Sequence, residues 1–388
     1  MKGNSVIIGG GLAGLMCARR LLVRGRPFKL INAPVTTLGH GLGGFAEFSG
    51  AKFSLLPAGT GLIPVAGSEQ RLRGAIEDVT AILGLTRFRH VQSSDMALDF
   101  SESLRLRAYH SYVLMPSQIG GLISELAAAV PTADVLEDRV TAVTFDGNNW
   151  RVQMERGELV EGRAVVFASG RTGANLLAAA GAVDQPGRGT DLGVRLEFLS
   201  QEPLAPLRAL GADAKVLWEN CRTFCLNSPG AIFHYPADEG ILIPGGVVAE
   251  PSVTAANVGL LCRVPNKRLA SENFKRAAKK VGQTRALSYK ANTRSSIIDG
   301  EVLTPFFGKE VVAALSTFVE KLDESKLIRL GGEIKVHYPL IDWHWPTFAL
   351  PASFRTSMPG LYVIGDLAGH ARGLLQSAVS GWLAGEEL

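Results

Sequence analysis

Along the first stretch of the chain the apolar positions fall in short runs parted by glycine. Ser5 to Ile8 is an apolar run with no polar alternation, which predicts a strand buried on both faces. Gly9-Gly10-Gly11-Leu12-Ala13-Gly14 follows, and then Leu15, Met16, Ala18, Leu21 and Leu22 at helical spacing. The pattern predicts strand, turn, helix, with Gly25 ending the helix and Phe28 to Ile31 forming a second strand. After breaks at Pro57, Gly59, Pro64 and Gly67, helices are predicted over Glu69 to Leu83 and Gln118 to Val130. Val135, Val140 and Val143 predict strands continuing through Trp150 to Met154, and Ala164 to Ala168 a third core strand.

From about Gln185 to Asp342 the period shortens to alternating strands, such as Gly193 to Phe198, Ala231 to Tyr235 and Gly240 to Val247, with helical stretches around Phe274 and Val312. Gly360 to Asp366 then returns to the buried-strand pattern, and a helix is expected from near Gly373. This order predicts an α/β fold. A Rossmann-like dinucleotide-binding domain would span 1–184 and be completed by 343–388, with a mixed α+β substrate or cap domain inserted at 185–342.

Composition narrows the class. With 388 residues, 46% hydrophobic and 20% charged, and 44 glycines, the chain reads as a folded enzyme with many tight turns. The net charge of +4 comes without a polybasic run, so no nucleic-acid partner is expected. Cys17, Cys221, Cys225 and Cys262 lack C-x-x-C spacing and are expected as reduced core thiols, with no metal site. Reduced thiols point to a cytoplasmic protein, and since no run of 18 apolar residues occurs, no membrane span is expected.

Each glycine of the first turn has a physical task. Gly9 permits the tight turn, Gly11 lets backbone approach a pyrophosphate, and Gly14 lets the helix pack on the strand. The helix start at Leu12 and Ala13 offers free N–H groups to the phosphates. Asn32 ends the second strand, where the dinucleotide pattern expects an acid for the ribose hydroxyls, so binding would lean more on the phosphates. The far end of the chain favours FAD over NAD, because Rossmann dehydrogenases do not close on a strand, Gly365-Asp366 and a helix.

That ending resembles the closing segment of glutathione-reductase-type flavoproteins. Together with Gly39-His40-Gly41-Leu42-Gly43-Gly44-Phe45-Ala46-Glu47-Phe48-Ser49, Ala168-Ser169-Gly170-Arg171-Thr172-Gly173 and Arg372-Gly373-Leu374-Leu375-Gln376-Ser377, it resembles a little-characterised family of bacterial and archaeal FAD-dependent dehydrogenases over nearly the whole chain. The sequence departs from that family at Asn32, at Ala46, where the family has glycine, and at Ser169, where it has proline. The resemblance implies non-covalent FAD held by an N-terminal Rossmann-like FAD-binding domain. Gly43, Gly44 and Phe45 would pass the flavin, Val140 the adenine, and Ser169 and Gly170 would follow the third strand. Asp366 after Gly365 would bind a ribitol hydroxyl, and the helix at Gly373 and Leu374 would aim its positive end at the pyrimidine edge.

A flavin carries its own redox chemistry, so no catalytic residue is compelled. The polar candidates are His40, as proton donor or attachment point against a solvated loop histidine, and His234, Arg195, Arg171 and Arg372. Arg372 is placed to bind a substrate carboxylate bidentately. Trp343, His344 and Trp345 would wall a pocket or pack in the core. The leading reading is a two-electron, hydride-transferring oxidoreductase, a dehydrogenase or reductase, acting on a small and possibly anionic molecule, with NADH or NADPH as a potential donor. A disulfide reductase would need a second glycine unit and a redox cysteine pair; an aromatic hydroxylase would need a G-A-D-G-like turn near Ala168. A flavin-dependent RNA-modifying enzyme and a non-catalytic flavin-binding partner protein are the competing readings.

Overall fold

The computed structural model describes residues 4–35, 41–93, 104–185, 187, 189–236, 241–265, 272, 275–277, 279 and 286–388 without 352 and 371. His40 and Phe274, both named above, lie outside these residues. Ser5–Ile8, Phe28–Asn32, Val135–Glu137, Ala164–Phe167 and Leu361–Val363 form one parallel sheet, with Ser5–Ile8 at its centre. Ala164–Phe167 and Leu361–Val363 lie on one side of it, and Phe28–Asn32 and Val135–Glu137 on the other. A parallel strand needs a crossover, and the helix Leu12–Val23 supplies the first one. The antiparallel meander Val140–Phe145, Trp150–Met154 and Leu159–Gly162 precedes the strand Ala164–Phe167.

The second large element is a seven-stranded antiparallel sheet. Thr190–Phe198 lies between Ile334–Asp342 and Ala256–Val264, with Cys221–Asn227 next outward. Helices Gly300–Phe307 and Lys309–Glu324 pack on it, burying Leu303, Leu315, Phe318 and Leu322. Its last edge is Arg105–Arg107, paired with Lys215–Trp218. That strand lies well before position 185. Three residues with one buried side chain, Leu106, carry too little pattern to announce it. Apolar residues accordingly form two clusters, one around the parallel sheet and one around the seven-stranded sheet, and Leu104, Leu106 and Ala108 belong to the second.

Two features hold the chain's end against its beginning. The closing helix Leu374–Glu387 crosses Leu12–Val23 so tightly that a Cβ at Gly381 would lie 2.0 Å from the Ala13 carbonyl oxygen. Arg20 stacks over Trp382 at 4.2 Å and pairs with Glu386. The hairpin Gly230–Pro236 with Leu242–Val248 stands apart as its own two-stranded ribbon. Among the described residues no helix is long and apolar enough to cross a membrane.

Candidate functional site

The first glycine turn is crowded at Gly9, Gly10 and Gly14 and left open at Gly11. Gly9 has φ +105°, and a Cβ there would meet the Ala168 carbonyl oxygen at 2.6 Å. A Cβ at Gly14 would sit 2.0 Å from the Gly9 oxygen, so helix and strand touch through bare backbone. Gly11 differs. Its backbone, at φ −66° and ψ 177°, is open to any residue, and a Cβ there would meet nothing within 4 Å. It caps the helix Leu12–Val23, whose first turn has neither a side-chain cap nor an acid. Free N–H groups, the positive helix end and unfilled space at Gly11 together fit a phosphate group.

The second glycine loop lies against the first. The Gly43 N–H donates to the Gly10 carbonyl at 2.7 Å, Gly43 bridges Gly11, and a Cβ at Gly44 would come 3.1 Å from the Gly11 Cα. Phe45 follows in the short turn Gly44–Ala46 and is 36% exposed, while Ala46 is buried. Asn32 has a task in the turn itself. Its Oδ1 accepts the Gly10 N–H at 2.8 Å and its Nδ2 donates to the Ala33 carbonyl at 3.0 Å, so the amide pins the turn, with one lone pair and one N–H left over.

The C-terminal segment reaches the same place. Gly365, at φ +69°, donates its N–H to Ser380 Oγ at 2.9 Å, and a Cβ there would lie 3.2 Å from the Cβ of Ala13. Asp366 is thereby set beside the start of the first helix. Gly170, at φ +60°, also faces open space, and the Ser169 hydroxyl is buried without a partner among the described residues. Gly373 caps the closing helix before Leu374, and Gln376 ties that helix to the Ser54 and Ala58 carbonyls at 2.9 and 3.1 Å. Val140 is half-buried on the meander, opposite Met154.

Three arginines have separate fates. Arg195 is 1% exposed and donates to the Pro244 and Cys225 carbonyls and to Asn257 Oδ1, at 3.1, 3.2 and 2.8 Å. Burial pulls its guanidinium below the ordinary arginine value. It staples the hairpin to the sheet and is buried with those donors engaged, so the structure does not present this polar candidate to a substrate. Arg372 is likewise committed. It pairs with Asp342 and lies 3.4 Å from Asp366. Burial opposes its charge, but Asp342 and then Asp366 outweigh it and raise its pKa above the ordinary value. The expected free guanidinium for a substrate carboxylate is thus already neutralised.

Arg372 is one end of an ion-pair ladder. Arg263 grips Asp191 at 2.5 and 2.8 Å, and Arg222 bridges Asp191 at 2.7 Å and Asp342 at 3.3 Å. Burial pushes the Asp342 carboxyl up, yet Arg372, Arg222 and Arg171 outweigh it and hold it below the ordinary range. Charges alternate from the seven-stranded sheet to the Gly365-Asp366 turn. Nothing in the sequence announces this ladder, because Arg222 lies 31 residues from Asp191 and 120 from Asp342.

Arg171 is the third. Its guanidinium lies 4.6 Å from the Tyr235 ring, 5.2 Å from Trp345 and 5.7 Å from Phe45, and it donates to the Tyr235 hydroxyl at 3.2 Å. Phe45 meets Tyr235 edge-on at 5.8 Å, and Trp343 stacks on Trp345 at 5.4 Å. Tyr235 escaped the sequence reading, though strand alternation over Ala231–Tyr235 puts it and Phe233 on one face and His234 on the other. His234 therefore points away from this group, toward His337 at 5.6 Å between ring centres, and His337 bonds Glu197 at 2.8 Å.

No protein-family model matches the chain, and no curated protein does. Several solved flavoprotein structures resemble it at low identity. CtdE in complex with FAD aligns at 16% identity and a TM-score of 0.40, covering 98% of this chain and 82% of that one. The 2,6-dihydroxypyridine-3-hydroxylase of Arthrobacter nicotinovorans aligns at 12% and 0.47, covering 100% and 82%. A flavoprotein/dehydrogenase of Cytophaga hutchinsonii aligns at 13% and 0.43, covering 99% and 77%. The functional reading therefore rests on the geometry of the site.

Proposed function

We propose that the chain is an FAD-dependent oxidoreductase that performs two-electron chemistry on a small molecule. In this reading the parallel sheet carries a Rossmann-like FAD-binding domain, and the segment 185–342 supplies most of a substrate domain. The observation that carries it is Gly11: the fold does not need a glycine there, and the space that a side chain would fill lies at an uncapped helix start. Gly9, Gly11, Leu12, Ala13 and Gly14 would hold the pyrophosphate. Gly43, Gly44, Phe45, Ser169, Gly170, Gly365 and Asp366 would line the flavin side.

Bound there, FAD would accept a hydride equivalent from a substrate or pass one on. The protein's own contribution is placement. The loops at Gly44 and Gly365 converge on the first helix, and the positive end of the helix Leu374–Glu387 would favour negative charge on the ring. Denaturing the purified protein and identifying the released chromophore tests the reading. FAD is the expected product; FMN, or a protein that stays colourless after incubation with FAD, would sink it.

A further inference from the structure

We propose that Arg171 is the anchor for a substrate carboxylate carried on a flat apolar body, an inference that rests on the oxidoreductase reading for its setting. The argument begins with charge. Three arginines of this region, Arg263, Arg222 and Arg372, alternate with Asp191, Asp342 and Asp366, so the ladder neutralises itself. Arg171 stands beside the ladder with no carboxylate within ion-pair distance among the described residues. Among the described residues its guanidinium donates one hydrogen bond, to the Tyr235 hydroxyl. Asp342 feels its field but is already bonded to Arg222 and Arg372.

Geometry gives the ligand its shape. Tyr235, Trp345 and Phe45 surround the guanidinium, an arrangement that stabilises the cation and limits its freedom. Among the described residues one of its N–H groups is engaged, and a guanidinium has five. The remaining donors form the fork that matches a carboxylate bidentately. Because the Tyr235 hydroxyl oxygen accepts from Arg171, its own proton is free to donate to the same carboxylate. Next to this fork Phe45 keeps 36% of its surface open, an apolar face for the rest of the molecule. Gly170, the neighbour of Arg171 in the chain, opens on unfilled space, which puts the anchor beside the proposed flavin site.

The test uses the purified full-length protein, with its FAD content measured on the same sample. Calorimetry compares benzoate, neutral benzamide and ringless acetate. Benzoate is expected to bind, and the other two much more weakly. Arg171→Met is expected to weaken benzoate binding about 10- to 100-fold, the range for a lost charged hydrogen-bond pair, while keeping FAD content and melting temperature. Arg171→Lys should recover part of the affinity, and Tyr235→Phe should cost a smaller factor. Benzoate binding that is absent from the parent, or unchanged in Arg171→Met, overturns the proposal. So does loss of FAD in step with benzoate binding, since Arg171 would then belong to the cofactor. If Arg171→Met does not fold, an unchanged benzoate affinity in both Arg171→Lys and Tyr235→Phe overturns it equally. A protein that never takes up FAD would defeat the oxidoreductase reading alone, because calorimetry reads the arginine without the flavin.

Discussion

Single residues carry the sharpest test of the cofactor site, because Gly9, Gly11 and Gly14, three of the four glycines of the first turn, fail differently when given a side chain. At Gly9 and Gly14 a Cβ collides with backbone, so substitution there confounds folding with binding. At Gly11 it meets nothing. Gly11→Val should therefore keep the stability of the FAD-free protein within about 0.5 kcal/mol, as a substitution free of packing conflict does, and yet abolish FAD retention. Chemical denaturation and cofactor content, measured side by side, check both halves. A variant that keeps its FAD would place the phosphates elsewhere.

Asn32 gives the second residue-level expectation. Its position at the strand end was legible, but its partner was not, since nothing in the spacing says that a side chain will turn back on the Gly10 N–H. Asn32→Ala removes that acceptor and leaves a half-buried donor unpaired, at a cost of about 1–3 kcal/mol. Asn32→Asp keeps an acceptor of the same shape and should hold FAD nearly as the parent does. Equal loss in the two variants would show that the amide Nδ2, and not Oδ1, is what the turn requires. Arg372 shows the same limit of sequence reading. Its motif was visible, while Asp342, 30 residues earlier, gave no sign that it would claim the charge.

Elements were read well where they are long and periodic. The helix expected over Glu69 to Leu83 runs Glu69–Ile82, and the closing helix begins at Leu374. Short strands were harder, and Arg105–Arg107 was missed because its placement depends on a partner strand more than a hundred residues away. How helices meet was also illegible, although Gly381 and Gly385 supplied a clue in their four-residue spacing. Both are needed: a Cβ at Gly381 strikes the Ala13 oxygen at 2.0 Å, and one at Gly385 strikes the Arg20 Cβ at 2.7 Å. Gly381→Val should cost about 1–3 kcal/mol or more, as overpacking does, since rigid backbone must move. As Ala13 sits in the phosphate turn, FAD retention should fall with stability. If urea titration found Gly381→Val as stable as the parent, the close crossing of the two helices would be wrong.

At the scale of the whole molecule, acidification should act in two stages, because a depressed histidine and depressed carboxyls titrate in different ranges below neutrality. Asp342 and Glu197 are held below their ordinary values: Asp342 because three arginines outweigh its burial, Glu197 chiefly because His337 bonds it. A carboxyl with a folded pKa below its unfolded one adds stability that is complete above the unfolded value. That stability is lost as pH falls through the folded value, so this stage lies below about 4.5. His234 carries the same sign at higher pH. Burial, then His337 and Lys335, depress its imidazole below the ordinary 6.5 against the opposing pull of Glu197. The folded state resists its protonation, so the unfolded chain takes up the proton first. Stability therefore begins to fall as pH drops below about 6.5, well before the carboxylates titrate. His234→Gln removes the titrating group while keeping a polar side chain. Urea midpoints measured from about pH 7.5 to 3 should show the upper slope flattened in His234→Gln and the lower stage kept. An unchanged slope between about pH 6.5 and 5 would mean that His234 is not held neutral and that the hairpin does not press it against His337 as described.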